Sequence, residues 1–182
     1  MRKAWWWSFS LLCLASFAPQ QPQRAGAAPI VPAVALSGAR SAVTESGYHR
    51  LRSAADLARV WLAHRGEPAP QGDYGWFYNR AGVPEVDFAG FEVVAIFGGT
   101  TWNSAGFAVE AIDDTPEQRR IRFDHKHYQT AGVDGDGGGK RATPFGFFVL
   151  PRTDLPLVLE EDVQGLIGQP PEWQQRARLA VE

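Results

Sequence analysis

Cysteine is nearly absent from this chain of 182 residues: Cys13 is the only one. It lies in an N-terminal apolar stretch, Ala4 to Ala18, that follows Arg2 and Lys3. That stretch falls roughly five residues short of a bilayer span and has the shape of a secretory signal, with Ala25, Gly26 and Ala27 supplying the small residues of a cleavage site after Ala27. Leu12 stands where a lipoprotein signal needs a small residue. The expectation is a signal peptide over 1–27 and a mature chain with no disulfide, thiol nucleophile or lipid anchor, whose fold rests on its core alone.

Basic charge is also scarce. Without Arg2, Lys3 and Arg24, 15 of the 18 basic residues face 20 acidic ones, a net charge of about −5. No basic stripe remains for nucleic acid. No second apolar run of spanning length follows the signal, so no membrane contact is expected after cleavage. Reactive motifs are missing as well: there is no G-x-S-x-G elbow, no P-loop, no HExxH and no CxxC.

What is present is a strand, a corner and a strand. From Phe91 to Phe97 both period-2 faces are apolar except for Glu92, the pattern of a central strand covered on both sides. Gly98 and Gly99 end the run, and Gly106, Phe107, Val109 and Ala111 alternate against Glu110 as a half-buried strand. These two runs are expected to pair with each other. Gly98, Gly99 and Gly106 form a structural corner, Gly106 being required for a positive φ or a close approach.

Around this pair, Ser46 to Leu51 reads as an edge strand. Ser53 to Gly66 reads as a helix, capped by Ser53 with Asp56 reaching back and stopped by Gly66, with Leu57, Val60, Trp61 and His64 on one face. Strands are expected over Gln118 to Tyr128, Pro144 to Leu150 and Leu157 to Glu160. Residues 28–44 read as a flexible lead, Ala131 to Thr143 as a glycine-rich loop, and 163–182 as a tail with a short helix from Trp173 that begins after Pro171. The expected fold is α+β: one antiparallel sheet of five or six strands, curled towards a barrel, with one N-terminal helix packed on it over residues 45–162.

Four aromatic residues, Tyr74, Trp76, Phe77 and Tyr78, sit in a proline- and glycine-rich loop, and Trp102 lies near the corner. Rings in such a loop either fold back over the core or form a partner surface. His125 and His127 project to one strand face and could offer two nitrogens to a metal, but no third ligand completes the set. Asp134-Gly135-Asp136-Gly137 begins like a calcium loop and fails where Phe145 replaces the last acidic ligand. Ser104 beside the corner reads as a turn former, although the histidines keep it in view.

Val86-Asp87-Phe88, the apolar strand to Gly98-Gly99, Ala105-Gly106-Phe107, Ala142-Thr143-Pro144-Phe145 and Val149-Leu150-Pro151-Arg152 occur in that order. In this the chain resembles the C-terminal domain of PrcB-type protease-complex subunits over about residues 45–160. Ala105 and Phe107 depart from the glycine and tyrosine of that family's corner. The resemblance implies a secreted or periplasmic, non-catalytic domain with no cofactor, an accessory or regulatory subunit whose protein partner is a secreted protease. Two other readings remain open: a metal-dependent hydrolase using His125 and His127, and a small-ligand carrier with a cavity between helix and sheet.

Overall fold

The computed structural model describes residues 28–68, 85–130, 138–165 and 168–181. Its elements are β1 (Val34–Gly38), β2 (Ser46–Leu51), α1 (Ala54–Arg65), β3 (Phe91–Gly98), β4 (Thr101–Trp102), β5 (Ser104–Asp114), β6 (Arg119–His127), β7 (Arg141–Ala142), β8 (Phe145–Pro151), β9 (Leu157–Asp162) and β10 (Trp173–Leu179). The fold is α+β, but the strands form two four-stranded sheets, β1-β8-β3-β2 and β10-β9-β6-β5, with a two-stranded ribbon of β4 and β7. The sheets do not close into a barrel. No helix among the described residues is long and apolar enough to cross a membrane.

The three layers explain the unusual composition of β3. Its Val93, Ala95 and Phe97 pack with Phe147 of β8 against Leu57, Ala58, Trp61 and Leu62 of α1. Its Val94 and Ile96 point the other way and meet Phe107, Ile121, Phe123, Leu157 and Leu159 of the second sheet. A strand covered by a helix on one face and a sheet on the other has no use for polar alternation. Glu92 is nevertheless fully buried on the inner face. Arg50 of β2 holds it through Nε at 2.8 Å and a second nitrogen at 3.2 Å, the forked geometry that offsets the cost of burying both charges.

Helix α1 begins and ends as its sequence dictates. The Asp56 N–H donates to Ser53 Oγ at 3.1 Å while the Ser53 hydroxyl donates to the Asp56 carboxylate at 2.6 Å. Gly66 closes the helix at φ 69°. Trp61 is buried between helix and sheet, 5.1 Å from the Phe147 ring and 5.2 Å from His64.

Several expectations are corrected. The two runs around the corner do not pair with each other: β3 lies between β2 and β8, and β5 pairs with β6 in the other sheet, so the corner carries the chain from one sheet to the next. Residues 28–44 are not all a lead, because β1 adds to the edge of the apolar strand β8, whose free backbone edge it satisfies. The tail from Trp173 is a strand and not a helix: pairing with β9 decides over the local preference of its glutamines, arginines and alanines. In this tail Trp173 and Ala177 are half-buried and Ala180 is exposed. One pair is parallel, β6 with β9, where antiparallel pairing throughout was expected.

Candidate functional site

The corner between β3 and β5 positions most of the candidate residues. Gly98 ends β3 with its N–H donated to Pro144 O at 2.9 Å. Gly99 turns the chain at φ 69°, where a Cβ would lie 2.9 Å from the Ser46 nitrogen. Gly106 has φ 112°, and a Cβ there would come within 2.3 Å of Ser37 Oγ and 2.7 Å of the Gly38 nitrogen. The second sheet thus passes β1 closely enough for the Phe107 N–H to donate to Ser37 Oγ at 2.6 Å.

Between these glycines the ribbon holds Trp102 outward, 56% exposed. Asn103 is the one described non-glycine residue at positive φ, 54°. Its N–H donates to Lys140 O at 2.8 Å, its Oδ1 accepts the Lys140 N–H at 2.7 Å, and its carbonyl accepts the Tyr128 N–H at 2.9 Å. A short polar side chain tolerates this conformation, and these three bonds fix it. Arg141, the cross-strand partner of Trp102, lays its guanidinium 5.7 Å from the indole centroid. Tyr128 is also exposed. The result is an aromatic and guanidinium surface on a braced turn.

Behind the corner lies a Ser-His-Glu series. Ser104 Oγ is 2.8 Å from His125 Nε2, and His125 Nδ1 is 3.6 Å from Glu161 Oε1. Arg176 Nε donates to the other Glu161 oxygen at 2.5 Å. Burial works to raise the Glu161 carboxyl, but hydrogen bonds from His125 and Arg176 more than offset it, and the group sits below the ordinary glutamate range. The order of groups is that of a hydrolytic triad. Its chemistry is blocked at the first step: Ser104 has no exposed surface, and its Oγ already accepts the Gly106 N–H at 3.1 Å. A carbonyl carbon must come within about 3 Å of a nucleophilic oxygen, and none can here. The series instead closes the end of the inter-sheet core, with the His125 ring 4.6 Å from Phe107.

His127 lies beside His125, ring centroids 4.0 Å apart, at the rim of a cleft of about 580 Å³ that also presents Lys126, Glu161, Asp162 and Arg176. No group of three or more His, Cys, Asp or Glu able to hold a metal occurs among the described residues. The apolar hollow between α1 and the sheet, at Trp61, Val93 and Phe147, holds about 30 Å³, room for one water where a carrier needs a few hundred.

Tyr74, Trp76, Phe77 and Tyr78 lie outside the described residues, as does the Asp134 to Gly137 stretch. The structure therefore brings together Trp102 with Asn103, Tyr128 and Arg141, of which only Trp102 is singled out by the sequence. Arg141 follows Trp102 by 39 positions, and no local pattern announces that pairing. Glu161 is likewise silent, reading simply as the polar end of β9.

No family model, no curated protein and no solved structure matches the chain.

Proposed function

We propose that the chain is a non-catalytic binding domain that works outside the cytoplasm and engages a protein partner through the surface built on Trp102. The observation that carries this reading is the way Trp102 is held: exposed, stacked by Arg141 and fixed by the left-handed Asn103. Tryptophan, tyrosine and arginine are the residues that dominate binding energy at protein interfaces, and they do so best when little rotamer freedom is lost on contact. A solvent-facing indole on a braced turn contributes little to the core, which favours a role in contact with a partner.

The signal-like N-terminus supports an extracytoplasmic location. The resemblance to PrcB-type subunits supports a secreted protease as the partner, with this domain as its accessory or regulatory subunit. The buried Ser104 hydroxyl supports the non-catalytic part of the reading.

A photo-crosslinking residue at the exposed position of Thr100, beside Trp102, tests the proposal. The expected outcome is a discrete adduct with one partner, lost when unlabelled protein competes. Trp102→Ala should weaken that association by about 2 kcal/mol or more while changing stability by no more than about 0.5 kcal/mol. A large loss of stability in this variant would return the indole to a structural role.

A further inference from the structure

A second cleft, of about 640 Å³, opens between β2, the first turns of α1 and the end of β10. His49, Arg50, Arg52, Arg59 and Arg178 line it, and Asp56 is the one carboxylate among the described residues of its lining. We propose that this cleft binds a small ligand through an oxyanion group, a phosphate or a carboxylate.

The charges on its wall are not equivalent. Arg50 is committed at the base to Glu92 and to the carbonyls of Thr153 and Leu155. Arg52 lies 3.7 Å from Glu92 and 2.9 Å from Asp154. Asp56 is drawn aside by the Ser53 hydroxyl and by Arg59, at 2.6 and 2.8 Å. Arg178 donates to the neutral Gln118 amide at 2.7 Å. Among the described residues, four guanidinium groups thus meet three carboxylates, an excess of positive charge in a chain whose net charge is −2.

Burial, and then the positive charge of Arg59, hold the His49 imidazole below the ordinary histidine range. The cleft beside His127 has the opposite balance, with Asp124, Glu161 and Asp162 against Lys126 and Arg176, so the basic bias is local. Guanidinium groups match carboxylate and phosphate oxygens in pairs. The volume is that of a small-molecule site, and Leu51, Val60 and Leu179 give it apolar wall for a short carbon skeleton. The site shares no lining residue with the Trp102 surface, and it stands or falls separately from a protein partner.

The test follows the His49 ring by NMR in the full chain at neutral pH and constant ionic strength, titrated separately with inorganic phosphate and with succinate. The proposal predicts a saturable shift with at least one of them, at a dissociation constant of about 1 mM or tighter, and a His49 titration midpoint that moves up when the anion is bound. Whichever probe binds more tightly identifies the oxyanion. Arg178→Gln and Arg59→Gln, both at exposed positions, should each weaken binding about tenfold, whereas Arg65→Gln, in the last turn of α1, should leave it unchanged. Shifts that stay linear with both anions overturn the proposal, and so does an equal loss in all three variants.

Discussion

Gly106 shows how much one position can carry. At φ 112° a side chain is strained on its own account, and a Cβ would also meet Ser37 and Gly38 of the neighbouring strand. Gly106→Val should therefore cost about 3 kcal/mol or more, visible as a lowered midpoint in urea; an unchanged midpoint would mean that β1 does not pass there. His64 is a second such residue. It is buried among Trp61, Phe145 and Phe147, its Nδ1 lies 3.0 Å from Ser41 Oγ, and burial, then Arg65, lowers its pKa to about 4. A histidine whose folded pKa is depressed stabilises the fold fully above its unfolded value of about 6.5, and that contribution fades as pH falls towards 4. His49, lowered in the same direction, adds to the effect. Stability should thus fall between pH 6.5 and 4.5, before Asp114 and Glu161 begin to lose theirs at lower pH, by at most about 3 kcal/mol from His64. His64→Leu should flatten most of that slope in denaturant titrations at a series of pH values.

Strand β2 is an edge element paired with β3, and Arg50 ties it to elements beyond that pairing. Arg50 reaches from it to Glu92 of β3, to the turn before β9 and to Ala180 beyond β10, so one guanidinium joins both sheets at that corner. Arg50→Ala would leave a buried carboxylate with only Arg52 near it among the described residues and should cost about 3 to 5 kcal/mol. The double replacement Arg50→Met with Glu92→Leu should recover most of that loss. A double variant as unstable as the single one would show that the carbonyl contacts of Arg50, and not the charge pair, hold the corner. Elements of this kind were unevenly legible. The capping residues of α1 and the two apolar faces of β3 follow from sequence because local bonds and burial on both sides leave a direct pattern. β1 and β10 do not, since each is a strand only by virtue of the edge it pairs with, and its own residues favour a lead or a helix. The site divides in the same way: Trp102 and Gly106 stand out as residue types near a corner, whereas Asn103, Arg141 and Glu161 gain their roles from partners 20 to 40 positions away.

The whole molecule is a three-layer body, α1 on one sheet and that sheet on a second, with its core split between the two interfaces. Such a body holds without disulfides because β3 and β8 contribute to both halves of the core at once. It also presents distinct surfaces at the sheet corners: the braced aromatic turn at Trp102, the basic cleft beside β2, and the mixed cleft beside His127. The first of these is the surface proposed to meet a protein partner. The most direct test is a crosslinked pull-down of the tagged protein from the extracytoplasmic fraction of its source, quantified by mass spectrometry beside the Trp102→Ala variant. The expected result is one secreted protein, a protease on the reading proposed, recovered in near-stoichiometric amount with the native chain and depleted at least tenfold with the variant. Equal recovery with both chains, or no partner with either, would contradict it.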